Sequence, residues 1–501
     1  MIGTIAIVLV LLFVLYEMYW KRRNLPPGPT PLPLLGNLVS MYLAFPGFQL
    51  MQDWKKKYGP VYTYWLGPYP IVTVNEINIV QEMFVQDGEN YVDRQPFGDL
   101  TKKYRGGNFG IIESNGRAWR EQRRFTLHTL RDLGLGKERV QEQILAEAEY
   151  LLEELEKECK DTGSAWPIKY TERTVASVIN LMVFGYRFDK EHENDFYNLR
   201  ALLDEQNREL RNPLVIAFIG MPQWITKKIP FIGSKFQLMW SVRDKLFEFF
   251  EKNIAAHRKI VDYTSNDFDD YCDAYLKEMY KFRDDPETSF HDKQFVNVCL
   301  DLWLAGMETT AATMAWGLTL LLNYPDVQKK MHDEFDRVIG TDRLITMKDK
   351  NDLHFTNAFI SEVQRWANIV PQNLLRKATN EVEVAGVKIK AGTPVSPQIS
   401  VLMTDEEIFP SPYSFKPDRF IDEDGKLRSF KQFLPFSVGK RQCPGEGLAR
   451  MELFLFFANL VHRFKMSPHD PAKIPTLVRT MANIAKPDPF QCKLERRVVQ
   501  R

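Results

Sequence analysis

The sequence predicts a mainly α-helical domain with small β-sheets, preceded by one apolar N-terminal helix. Three observations predict it. Apolar residues recur at helical spacing over 138–160, 240–260, 295–322 and 445–463. Strand-like patterning is confined to two short stretches, a hairpin pattern within 61–74 and period-two alternation within 381–390. Residues 1–16 carry no charged side chain, and Glu17 is the one charge before Lys21.

The apolar segment comes first in the chain. A helix of about 20 residues spans about 30 Å, the thickness of a bilayer core. Lys21, Arg22 and Arg23 follow, and the positive-inside rule keeps them cytosolic. A cleaved signal peptide is the competing reading, but no basic stretch precedes the apolar run and no small-x-small site follows it. Residues 1–20 are therefore expected to be a membrane anchor. Residues 21–38 are expected to form a basic, proline-rich hinge, because Pro26, Pro27, Pro29, Pro31 and Pro33 forbid a continuous helix. No composition break follows residue 40, so 39–501 read as one domain.

Within that domain, Val61–Leu66 and Ile71–Val74 flank Gly67-Pro68-Tyr69-Pro70 as a β-hairpin. Val382 and Val384, then Val387 and Ile389, alternate with charges around Gly386 and predict a second small sheet. Residues 221–236 mix Trp224, Ile225, Ile229, Phe231 and Phe236 with Lys227, Lys228 and Lys235. That mixture suits a membrane interface, with a loop covering a core as the alternative.

Composition excludes several classes. The chain has 501 residues, with 66 basic against 65 acidic side chains, so it lacks the basic excess of a nucleic-acid binder. A hydrophobic content of 44% supplies a large core and argues against disorder. Five cysteines without a CxxC pair suit reduced thiols, not a disulfide framework or a zinc site. No GxGxxG opens a nucleotide-binding βαβ unit, so NADPH is not expected to bind directly by that route.

One cysteine stands apart. Phe436-Ser-Val-Gly439-Lys-Arg441-Gln-Cys443-Pro-Gly445 places it between glycines that permit a tight loop and close approach to a flat cofactor. The apolar run after it predicts a buried helix whose N-terminus points at the sulfur and favours a thiolate. This stretch resembles the haem-binding signature of the cytochrome P450 family, Phe-x-x-Gly-x-Arg-x-Cys-x-Gly, at all five fixed positions. A chance match in a chain of this length is on the order of one in ten thousand. The resemblance implies the cytochrome P450 fold for the catalytic domain. It also implies haem b as cofactor, with Cys443 as axial ligand to the haem iron and Phe436, Gly439 and Arg441 around it. Arg441 would pair with a haem propionate.

Other segments resemble the same family. Glu362-Val-Gln-Arg365 puts opposite charges on one helix face, and Pro417-Asp418-Arg419-Phe420 lies downstream. The pattern implies a buried structural network of Glu362, Arg365 and Arg419. Asp418 departs mildly from the Glu often found there. Asp301–Gly317 is an apolar helix interrupted by Glu308-Thr309-Thr310 after Gly306, a place for local widening of the helix. The resemblance implies that Thr309 holds water over the haem and Glu308 helps deliver protons. A Thr/Glu cluster bonding its own helix backbone is the alternative. Trp119 and Arg123, one turn apart, together with Arg376 and Arg94, resemble further propionate contacts. A surface position is the alternative for each arginine, and for Arg94 it is as good a reading. Phe109, Ala305, Val370, Leu374 and Ile484 occupy places resembling the substrate pocket and suggest an apolar ligand.

The likeness is to animal microsomal members, in particular the group that oxidises drugs and fatty acids. It implies a monooxygenase acting on lipophilic substrates at the endoplasmic reticulum membrane, with the catalytic domain cytosolic. Its electrons would come from NADPH-cytochrome P450 reductase, with cytochrome b5 as a second candidate donor. Arg120, Arg124, Arg131, Lys137 and Lys440 match a basic docking side; an ordinary solvated face is the alternative. A haem-thiolate isomerase or dehydratase of peroxides, and a non-catalytic haem sensor, are the competing functions. Glu308-Thr309 speaks against the first of these.

Overall fold

The N-terminal segment is helical, as its composition demands. In the computed structural model, helix α1 (Ile2–Met18) runs on through a 3-10 turn, Trp20–Arg22. The stretch Thr4–Arg22 has a mean hydropathy of 1.8 and its apolar window is not buried in the body, so it is long and apolar enough to cross a membrane. The proline-rich segment after it carries no helix until Leu38 and is tied to the body through Thr63 N–H···O Pro27. The structure describes residues 2–96, 98–134, 138–210, 212, 215, 218, 221, 223–479 and 484–498.

The helices of the body follow in order: α2 (Leu38–Leu43), α3 (Phe48–Tyr58), α4 (Ile77–Gln81), α5 (Gly98–Arg105), α6 (Gly116–Asp132), α7 (Glu138–Thr162) and α8 (Pro167–Phe184). Then come α9 (Glu193–Leu210), α10 (Gln223–Thr226), α11 (Ile232–His257), α12 (Tyr271–Lys281) and α13 (Asp292–Asn323). The last are α14 (Pro325–Val338), α15 (His354–Ala367), α16 (Ile399–Met403) and α17 (Glu446–Arg463). The four helices read from periodicity are α7, α11, α13 and α17.

Helices α13 and α17 are apolar on nearly every face because other helices enclose them. Helix α8 packs along α13 so closely that Gly306 has no room for a side chain. A Cβ there would lie 2.8 Å from Ile179. Gly317 serves the crossing with α17, where a Cβ would lie 2.1 Å from Phe457. Gly306 therefore answers to helix packing, and α13 stays regular through Thr310. The expected widening is absent there; a π-helical turn occurs instead at Glu82–Gln86, directly after α4.

The sheets are minor. Strands β1 (Val61–Leu66) and β2 (Tyr69–Val74) form the expected hairpin. Strand β3 (Asp93–Arg94), β4 (Arg376–Lys377) and β7 (Pro394–Pro397) extend it in the order β1-β2-β7-β4-β3. Strands β5 (Val382–Val384) and β6 (Val387–Ile389) make the second hairpin. A third pair joins β8 (Phe464–Pro468) to β9 (Cys492–Arg496).

Candidate active site

The Cys443 loop is shaped by the chain's own packing. Gly439 takes a positive φ of 69°, and a Cβ on it would lie 1.7 Å from the carbonyl oxygen of Phe84. Sequence reasoning assigned that glycine to a flat cofactor, but the close neighbour is the π-helical turn. Gly445 is the one with open space where a Cβ would point. Cys443 N–H donates to Phe436 O at 3.0 Å and closes the loop. Helix α17 starts at Glu446, as expected. The Cys443 side chain is solvent-accessible, yet the protein crowding it pushes its thiol pKa up, against a lowering contribution from the Gly445 N–H. A sulfur both accessible and crowded sits in a cleft. The other four cysteines are free thiols, and Cys272, Cys299 and Cys492 are buried.

Arginines line one rim of that cleft. Strand pairing sets Arg94 directly opposite Arg376. Arg94 donates Nη1 to Leu374 O at 2.8 Å and Nε to Ile112 O at 3.1 Å. Arg376 donates Nη2 to Val438 O at 2.6 Å and Ser437 Oγ at 3.0 Å, while its buried Nε has no acceptor. Arg123 donates to Gln442 O at 2.5 Å. Arg441 lies 3.7 Å above the Trp119 ring, and its donors go to carbonyls of Val92, Ile111, Ile112 and Ser114.

Desolvation and mutual repulsion depress these guanidiniums. Burial, then Arg94 and Arg123, lowers Arg441 to about 8. Burial brings Arg94 to about 10. Arg376 is pushed well below its ordinary value by burial and by Arg94 and Arg123. Like charges facing each other across a strand pair are destabilising. Trp119 Nε1, on the same rim, is buried without an acceptor. An anion with several oxygens would answer both the charge and the orphaned donors. The paired carboxylates of haem fit that demand, and the accessible sulfur beyond the rim fits its iron.

Further candidates lie on α13. Ala305 is exposed and Thr309 half-exposed, although most of the helix is buried. Thr309 Oγ1 donates to Ala305 O at 2.7 Å, so its hydroxyl proton bonds back to its own helix. Glu308 points the other way. Its oxygens meet Arg200 Nη1 and Lys486 Nζ, each at 2.8 Å. Arg200 also holds Glu172 at 2.9 Å, so this buried network ties α8, α9 and α13 together. Sequence reasoning missed Arg200, Glu172 and Lys486, which no short motif connects.

The pocket candidates are partly assembled. Leu374 is 44% exposed on the rim, and Val370 and Ile484 are half-buried. The chain beside the last two is joined through Ala485 N–H···O Ile369 at 2.8 Å. Phe109 goes elsewhere. Its ring packs edge-on against His291 at the start of α13, about four turns from Ala305. The neighbouring Ile111 and Ile112 are instead pinned to α13, their N–H groups donating to Asp301 at 2.7 and 3.0 Å. Arg105 meets the same carboxylate at 2.6 Å. The lone acid opening the apolar stretch of α13 was the signal for this contact.

Glu362, Arg365 and Arg419 come together, with Glu362 and Arg365 fully buried. Arg365 grips Glu362 with two bonds of 2.7 and 2.8 Å, and Arg419 Nε reaches it at 3.1 Å. Arg419 also donates to carbonyls of Pro410, Ser411 and Ser414, and Arg365 to Met403 O. The network thus staples α15 to the 403–419 segment.

The cytochrome P450 family model matches residues 26–494. Cytochrome P450 2H2 of Gallus gallus is 35% identical over 473 residues, covering 93% of each chain. Cytochrome P450 2J1 of Oryctolagus cuniculus is 37% identical over 465 residues, 92% of this chain and 90% of that one. Cytochrome P450 2G1 of Rattus norvegicus is 35% identical over 470 residues, 92% of both. With a match of this extent, the chain belongs to the cytochrome P450 family, oxygen-incorporating oxidoreductases whose cofactor is haem b.

Proposed function

We propose that this protein is a membrane-anchored haem-thiolate monooxygenase that inserts one oxygen atom into lipophilic substrates such as fatty acids, steroids or foreign apolar compounds. The observation that carries the reading is an accessible Cys443 on the same loop system as buried cationic, partly unsatisfied donors. Haem held there supplies oxygen activation, its thiolate ligand favouring O–O cleavage.

The chain's own residues have separable tasks. Cys443 offers the thiolate, with the Gly445 N–H stabilising its charge. Arg376, Arg94, Arg123 and the Trp119 N–H would hold the haem carboxylates, whereas Arg441, expected to share that task, spends its donors on the carbonyls of Val92, Ile111, Ile112 and Ser114 and braces the loop. Thr309 keeps its proton on Ala305 O, leaving its lone pairs to accept from water in the cleft. Glu308, held by Arg200 and Lys486, marks the protein end of a proton route. Ala305, Ile112, Val370, Leu374 and Ile484 give the substrate an apolar surface.

Residues 1–20 anchor the protein in the endoplasmic reticulum membrane, 21–38 act as the hinge, and the catalytic domain, 39–501, faces the cytosol. Electrons come from NADPH through the separate reductase, with cytochrome b5 as an additional donor. The exposed Arg120, Arg124, Arg131 and Lys440 form the docking side; Lys137 lies outside the described residues. Glu89 bridges Arg120 at 3.0 Å and Lys440 at 3.2 Å on that face.

The test is the absorption spectrum of the reduced carbon-monoxide complex. A strongly red-shifted Soret band is expected in the wild type and its loss in Cys443→Ala, together with activity. A variant that keeps the band refutes the ligand assignment. Turnover that proceeds on peroxides without NADPH and reductase would favour the isomerase reading.

A further inference from the structure

A groove of about 640 Å³ lies between α5 and α11, outside the cleft. Its floor is the outer face of α11, where Gln237, Trp240 and Ser241 follow at helical spacing. Lys103 reaches in from α5, its Nζ 4.4 Å from the Trp240 ring centroid. Lys227 enters from the turn between α10 and α11. Two ammonium groups from separate elements thus converge on one concave surface that carries a tryptophan ring. Burial, then the facing charge of Lys227, lowers the pKa of Lys103, against a raising contribution from Asp244. Among the described lining residues the cations also include Arg243 and Lys245, against Asp244 and Glu248. Asp244 is engaged by Arg243 at 2.8 Å, and Glu248 lies about two turns beyond Trp240.

We propose that this groove binds the phosphate of an anionic phospholipid headgroup, with Lys103 and Lys227 as its charged ligands and Trp240 as its floor. The phosphate would relieve the convergence of charge and accept from both ammonium groups, the Trp240 N–H and Ser241. A lipid is favoured over free phosphate by what flanks Lys227. Trp224 is 69% exposed and Phe231 56% exposed, four residues or fewer to either side. Aromatic rings of this kind sit at headgroup depth. The source of the phosphate therefore rests on reading residues 221–236 as membrane-facing, on the same chain as the apolar helix Thr4–Arg22.

Each lysine at a charged membrane surface contributes about fivefold in affinity. The full-length protein in detergent is mixed with equal phosphatidylglycerol and phosphatidylcholine, and retained lipid is counted by native mass spectrometry. One phosphatidylglycerol is expected to be retained in preference. K103Q should cut that preference about fivefold and K103Q/K227Q about twenty-fivefold. K252Q removes the same charge from α11 outside the groove and should leave it intact. No preference in the wild type, or an equal loss in K252Q, overturns the site. Displacement of the lipid by equimolar inorganic phosphate overturns the lipid source. Quenching by brominated lipid in vesicles, wild type minus W224F, reports the membrane-facing reading separately. A retained lipid preference without that quenching supports the site and refutes the orientation.

Discussion

Replacing Glu452 by glutamine should make the protein more stable, and increasingly so as pH rises. Glu452 lies on α17, fully buried, where it accepts a bond of 3.1 Å from Thr310 Oγ1 on α13. No cation pairs with it among the described residues, and burial raises its carboxyl from 4.5 to about 8, against a lowering from the Thr310 hydroxyl. The folded protein therefore holds a proton that the unfolded chain releases above 4.5. Stability from this group is complete below that value and is lost as pH rises towards about 8. At about 1.4 kcal/mol for each step of one in pH, the handicap reaches about 3 kcal/mol near pH 7 and about 5 kcal/mol above pH 8. Glutamine keeps the acceptor for Thr310 and cannot ionise. Urea unfolding of wild type and E452Q, followed by circular dichroism in the same detergent from about pH 5 to pH 8, gives the difference at each pH. All shared titrations cancel in it. The difference should be near zero at the acid end and grow to about 3 kcal/mol or more. A difference that stays flat would show that Glu452 ionises normally in the folded state, and the reasoning would fall.

Four other substitutions probe the Cys443 loop, the Glu362 network and α13. Glu362→Gln leaves Arg365 and Arg419 uncompensated and should cost about 3–5 kcal/mol, seen as a lower urea midpoint; an unchanged midpoint would make the network dispensable. Gly439→Ala forces a Cβ into the Phe84 carbonyl at a positive φ and should abolish folded yield, whereas normal expression would contradict the packing. Gly445→Ala meets open space and should keep the unfolding midpoint while lowering haem retention; full haem content would show that nothing binds on that side. Thr309→Ala should leave folding intact and lower product formed per oxygen consumed, and unchanged coupling would remove Thr309 from the mechanism.

What could be read from the sequence is what local chemistry decides. The hairpin of β1 and β2 follows from two runs of β-branched and aromatic residues around a glycine-proline turn, and α13 from a long, largely apolar helix of 32 residues. The Cys443 loop is legible because its glycines, arginine and cysteine lie within ten residues. The rest depends on contacts between distant segments. Arg94 and Arg376 face each other only because β3 and β4 pair, a register that no local pattern encodes. Phe109 and Ile112 lie three residues apart in one loop, yet Asp301 draws Ile111 and Ile112 onto α13 while Phe109 turns to His291. Glu308 shows the limit most clearly. Its place in the motif suggested a carboxylate free to act in the groove, but Arg200 and Lys486 claim both of its oxygens. An acid held in this way by two cations is not free to approach Thr309 in the structure. The motif thus singles out the residue, while the packing of α9 against α13 decides what its carboxylate touches.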